Sequence, residues 1–129
     1  MMNISEAARQ TGLSAKQIRD YEKYGLLTAA RRTEGGYRAY QENDLKRLKF
    51  IRHARDVGFS LQQIAELLKL NDSPKRSSRA VKTITARHID ELEKQIQTLQ
   101  NMVEKLRQWH DVCKGDDCPQ CTILEGLEK

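Results

Sequence analysis

Residues 77–112 contain neither glycine nor proline, so nothing in that run invites a turn. Along it, Ile89, Leu92, Ile96, Leu99, Val103, Leu106, His110 and then Cys113 follow one another in alternating steps of three and four. Such steps set them all on one stripe of a helix. At about 1.5 Å per residue the helix runs roughly 50 Å. A small domain cannot bury so long a stripe alone, so the run predicts pairing with a second copy of the chain. β-Branched residues alternate with Leu along the stripe, a choice that by itself favours a parallel pair. Met102 and Trp109 fall one step off the stripe and broaden it, and the C-terminal tail offers them a packing surface.

The residues ahead of this helix read as a small helical domain. Residues 3–10 form a short helix with Ile4, Ala7 and Ala8 on one face. Thr11-Gly12-Leu13 makes a tight turn. Ser14 is a good N-cap for a second helix, Ala15 to Tyr24, and Gly25 stops it. Two short helices joined by a glycine-containing turn make a helix-turn-helix. Its second helix presents Lys16, Arg19 and Lys23 where a recognition helix carries its contacts. Residues 31–40 then read as a β-hairpin around Glu34-Gly35-Gly36. Arg31, Arg32 and Arg38, with the phenols of Tyr37 and Tyr40, suit phosphate contacts that position without reading sequence. A third helix starts at Glu42 or Asn43 and buries Leu45, Leu48, Ile51 and Ala54. Lys46, Arg47, Lys49, Arg52 and Arg55 occupy the rest of its surface. Gly58-Phe59-Ser60 breaks it. Ser60 and Gln63 form a capping box for a fourth helix with an apolar stripe of Leu61, Ile64, Leu67, Leu68 and Leu70. Asn71-Asp72-Ser73-Pro74 ends that helix.

Charge separates the two halves. Residues 1–75 carry 14 Lys/Arg against 9 Asp/Glu, and residues 76–129 carry nine of each. A basic front half points to a polyanion such as nucleic acid. No nucleophile with a paired base, phosphate-binding glycine loop or carboxylate dyad stands out, so an enzyme is not expected. No apolar run is long enough to span a membrane. Residues 1–5 lack the pattern of a secretory signal. All three cysteines lie within residues 113–121, which argues against a disulfide framework and for reduced thiols in a cytoplasmic protein.

Those cysteines sit in Cys113-Lys114-Gly115-Asp116-Asp117-Cys118-Pro119-Gln120-Cys121. Two thiolates that close a turn can grip a soft metal ion. Cys118 admits three readings: a spectator thiol, a third ligand that widens selectivity toward a divalent ion, or a redox partner of Cys121. The spectator reading is preferred, and the redox reading is set back because no βαβ pattern surrounds Cys118-Pro119-Gln120-Cys121. His110 reads as a packed residue of the stripe, and His53 and His88 as surface residues.

Several strings together resemble the MerR family of regulators. They are residues 2–8 (Met2-Asn3-Ile4-Ser5-Glu6-Ala7-Ala8), residues 14–22 (from Ser14-Ala15-Lys16 to Asp20-Tyr21-Glu22) and Gly25-Leu26-Leu27. Residues 32–40 resemble that family's wing, and residues 51–60 its second helix pair. The likeness is strongest to the CueR-type branch, which senses copper and other coinage metals. It implies a homodimeric winged-helix activator seated on double-stranded promoter DNA with an overlong spacer. The metal form would distort that DNA so that RNA polymerase, engaged indirectly through the shared promoter, aligns with both promoter elements. The resemblance also implies that the long helices pair antiparallel. It assigns DNA contacts to Lys16, Arg19, Tyr21, Arg32, Tyr37, Arg38 and Arg55. Asp20 stands where many relatives carry an aromatic residue, and is expected to turn away and pair with Lys16 or Lys23.

By the same resemblance Cys113 and Cys121 are the metal ligands. Two thiolates suit Cu(I), Ag(I) or Au(I), whereas a divalent ion wants three or four ligands. Relatives that sense divalent ions carry a cysteine where this chain has Ser78. Lys82 is the expected compensating cation, supplied by the partner, with a short helix from about Thr122 adding its dipole. The rival is a Zn, Cd, Hg or Pb sensor that recruits Cys118, and a small thiol redox protein is a remote alternative. The expected fold is mainly α. A winged helix-turn-helix domain (1–75) precedes a dimerisation helix (76–112), then a metal-binding loop with a short C-terminal helix (113–129).

Overall fold

A computed structural model describes residues 2–27, 31–32, 38–115 and 121–129, and for Arg31, Arg32 and Arg38 the backbone alone. The chain divides into two units, Met1–Val81 and Lys82–Lys129. The first holds α1 (Ile4–Thr11), α2 (Ala15–Tyr24), β1 (Arg31–Arg32), β2 (Arg38–Ala39), α3 (Glu42–Asp56) and α4 (Leu61–Asp72). Helix α5 (Ser78–Val112) begins in this unit and continues into the second, where α6 (Thr122–Glu128) follows it.

Local chemistry sets the helix ends. The Asn3 side chain accepts from the Glu6 amide at the start of α1. Capping boxes Ser14–Gln17 and Ser60–Gln63 open α2 and α4 as their sequences predict. At the start of α3 the Asp44 carboxylate accepts from the Gln41 amide at 2.8 Å. Gly25 closes α2 at φ 92°, a left-handed conformation that a β-carbon would strain. Strands β1 and β2 pair antiparallel, with Arg31 opposite Ala39 and Arg32 opposite Arg38. Beside them, Met2 and Tyr40 exchange backbone hydrogen bonds of 2.9 and 2.7 Å, which fastens the chain start to the hairpin base.

The core of this unit takes Ala7 from α1, Ile18 and Tyr21 from α2, Leu26 and Leu27 after it, the α3 face, and Ile64, Leu67 and Leu68 from α4. All four apolar residues predicted for α3 are buried. Tyr40 corrects one expectation. It is fully buried, and its hydroxyl donates to Glu22 at 2.6 Å instead of standing ready for a phosphate.

Two arginines that read as polar surface are long-range ties. Arg47 Nε donates to the Leu26 carbonyl at 2.7 Å, and its Nη1 reaches both Asp72 oxygens at 3.0 Å. One side chain on α3 thereby holds the end of α2 and the end of α4. Arg52 Nη1 donates to the Thr11 carbonyl at 3.1 Å, with its guanidinium lying against Gly12. Any larger residue at position 12 would collide with it.

Helix α5 is continuous, as its lack of glycine and proline predicts. Its apolar seam is open in the single chain. Ile89, Ile96, Leu99, Val103 and Leu106 are between 48 and 59 % exposed. His110 is exposed as well, and Met102 is not covered by the tail. His88 corrects the surface reading: it is buried, in step with half-buried Ile84 and Leu92 at spacings of four. That spacing puts the three on one helix face, so the imidazole shares the burial of its apolar neighbours. His53 is exposed.

Removing the Arg47 side chain leaves the Leu26 carbonyl and Asp72 without their donor. R47A is expected to lower unfolding stability by about 1–3 kcal/mol in chemical denaturation. A change smaller than a few tenths would contradict its role as a tie.

Candidate functional site

The helix-turn-helix presents a divided α2. Ile18 and Tyr21, three residues apart, face the core, while Lys16, Arg19 and Lys23 are exposed on the opposite side. Tyr21 is 7 % exposed, so its side chain belongs to the core more than to a DNA face. Asp20 is exposed, and among the described residues it makes no ion pair with Lys16 or Lys23. The hairpin register sets Arg32 and Arg38 opposite each other. Tyr37 lies outside the described residues. Arg55 is exposed on α3, and its Nη1 donates to the Phe59 carbonyl at 3.3 Å across the α3–α4 turn.

The thiol site is built at the far end of α5. Cys113 follows the last residue of α5, and its amide donates to the His110 carbonyl at 3.2 Å. Cys121 is the N-cap of α6, and its carbonyl accepts from the Glu125 amide at 3.0 Å. Both are free, half-buried thiols. The Leu124 amide, then the Ile123 amide and the Cys113 side chain, hold the Cys121 thiol below the ordinary cysteine range, against desolvation and the Glu125 charge. The Cys121 sulfur makes no cap hydrogen bond of good geometry, so these amides act on it chiefly as oriented dipoles. The structure thus brings Cys113 and Cys121 together, as the sequence suggests. Cys118 lies outside the described residues. Among the described residues, no cluster of three His, Cys, Asp or Glu side chains could hold a metal ion.

Ser78 opens α5 and Lys82 stands one turn further on, both exposed. Trp109, one turn before Cys113, is half-buried and packs on the tail as its sequence position suggests. Its partner is the backbone at Gly126 in α6, a residue with no signal in the sequence pattern. The Lys105 ammonium lies 5.6 Å from the indole centroid. Among the described residues no helix is long and apolar enough to cross a membrane.

Residues 2–71 match the family profile of the MerR HTH family regulatory protein, and residues 45–109 match the profile MerR, DNA binding. The chain is 64% identical over 126 residues to a probable heavy metal-dependent transcriptional regulator of Haemophilus influenzae, covering 98% of each. It is 44% identical to the HTH-type transcriptional regulator CueR of Escherichia coli O157:H7, covering 98% of this chain and 93% of that one. Among solved structures it resembles the transcription regulator PbrR691 from Ralstonia metallidurans CH34 in complex with lead(II). There the TM-score is 0.87 at 31% identity, covering 98% of this chain and 99% of that one.

The lowered Cys121 thiol gives a direct readout, because alkylation by iodoacetamide proceeds through the thiolate. In the metal-free protein the pH midpoint of Cys121 alkylation, followed by peptide mass spectrometry, is expected below the free-cysteine value of about 8.5. A midpoint at or above that value would contradict the electrostatic role of the α6 amides.

Proposed function

The chain belongs to the MerR family of transcriptional regulators, and from that premise we propose that this heavy-metal-dependent regulator answers to Cu(I). The observation that carries the reading is the pairing of Cys113 and Cys121 across their loop, with one thiol already biased toward thiolate. Thiolates are soft donors, and two of them suffice for a monovalent d¹⁰ ion. Silver(I) and gold(I) share that chemistry. A divalent ion wants at least one more ligand. Ser78 offers a hydroxyl where a third sulfur would be needed. The likeness to CueR relatives supports the same choice.

Two thiolates on a monovalent cation leave one net negative charge, which burial makes unfavourable unless it is compensated. Lys82 from the paired copy would supply the positive charge, and the start of α6 a favourable dipole. Pairing itself follows from the open α5 seam. The DNA face consists of Lys16 and Arg19 on α2, Arg32, Tyr37 and Arg38 on the wing, and Arg55 on α3. Tyr21 supports α2 from the core side, with its phenol edge as any remaining contact. These residues mostly place charge on phosphates, so operator affinity should fall steeply with salt. Activation then consists of deforming an occupied promoter, so that polymerase meets both of its elements.

A divalent reading is favoured by the lead(II) and mercury(II) complexes of two relatives with the same fold. It would recruit Cys118 as a third sulfur. Metal-dependent transcription in vitro, scored with Cu(I), Zn(II) and Pb(II), separates the two. Copper is expected to activate. C113S and C121S should each abolish that activation while operator affinity changes less than about threefold, and C118S should keep it. Activation by zinc or lead but not copper would overturn the assignment.

A further inference from the structure

Gly126 stands in the middle of α6, where glycine is the poorest helix former after proline. Its backbone is not in the left-handed region that reserves a position for glycine. Space gives the reason for it. A β-carbon at 126 would fall 2.5 Å from Cε2 and Nε1 of the Trp109 indole and 3.0 Å from its Cδ1. The ring is rigid there, so it or the helix would have to move. The α6 backbone therefore rests directly on the indole.

Two contacts then join the same pair of segments. Trp109 lies four residues before Cys113, and Gly126 lies five residues after Cys121. Trp109 meets Gly126, and the Cys113 side chain meets Cys121. Stepping back along α5 while stepping forward along α6 means that α6 folds back beside the end of α5. At about 1.5 Å per residue the indole contact lies roughly 6–8 Å along each helix from the thiols. That is near enough to fix where Cys121 stands, yet too far for the indole to act as a ligand.

We infer that Gly126 is a positioning residue for the thiol site: by seating α6 on Trp109 it presets Cys121 opposite Cys113 before any metal arrives. This rests on the reading of Cys113 and Cys121 as ligands to a soft monovalent ion. Without the seat, closing the loop between the two sulfurs would have to be driven by the ion itself, and affinity would fall. With it, metal binding meets a site already shaped.

The test uses the full-length protein and Cu(I), with affinity measured by competition against a chromophoric Cu(I) chelator. G126A should weaken binding by about tenfold or more. A merely structural role predicts the opposite, because alanine strengthens an isolated helix relative to glycine. In a W109A background, itself weakened, G126A should weaken binding no further, since the ring it strikes is gone. The chain has one tryptophan, so fluorescence reports the seat without metal. Acrylamide should quench Trp109 more readily in metal-free G126A than in the wild type. Unchanged quenching, unchanged Cu(I) affinity in G126A, or an equal loss in the W109A background would each overturn the inference. Wild-type protein that fails to bind Cu(I) through its thiols overturns the ligand reading and this inference together. Normal wild-type binding with an unaffected G126A overturns this inference alone.

Discussion

The open seam of α5 is the constraint on which the rest depends. Five large apolar side chains line a continuous helix with about half their surface in water. Burying the exposed half of each would contribute roughly 0.7–1.5 kcal/mol. No stretch of the described chain covers them. A second copy carries the same stripe, and two such stripes answer each other. Pairing gives the chain two basic domains for a two-fold operator. In the proposed antiparallel pair, the start of one long helix would come within reach of the thiol site of the other, where Lys82 and Ser78 would take their proposed roles.

Within the N-terminal unit the small core is held by side chains that bridge distant backbone. Arg47 joins the end of α2 to the end of α4, Arg52 clasps the turn of the helix-turn-helix, and Tyr40 ties the hairpin base to Glu22. Each tie ends on or beside α2 or its neighbouring turns. The helix that exposes Lys16 and Arg19 is thus buttressed from behind by charged and polar groups as well as by Ile18 and Tyr21. A helix expected to read or grip a duplex gains from such support, because small shifts of its axis misplace every contact it makes.

Local signals carried most of the fold. Ser14 with Gln17, Ser60 with Gln63, the glycine stop at Gly25, the pairing of residues 31–32 with 38–39 and the unbroken run of α5 were all readable, because capping, turn signals and periodicity act over short stretches of chain. What escaped were partners far apart in sequence. Nothing near Arg47 reveals that Leu26 and Asp72 will meet it, and nothing near Arg52 reveals Thr11. Tyr40 read as a phosphate contact because tyrosine suits both a wet edge and a core, and only packing decides between them. His88 read as surface because it stands one step before the stripe that begins at Ile89, whereas its partners in burial stand four residues away on either side. At the thiol site the sequence named both sulfurs. It could not show that the α6 amides bias Cys121, or that Gly126 leaves room for an indole.

The account stands most directly on the α5 seam meeting a second copy. Sedimentation equilibrium of the metal-free protein at micromolar concentration measures this without promoter or metal. It should report a single species of twice the chain mass, with no appreciable monomer. A species of one chain mass under those conditions would contradict the account, since it would leave the seam in water and Lys82 with no neighbouring thiol site to serve.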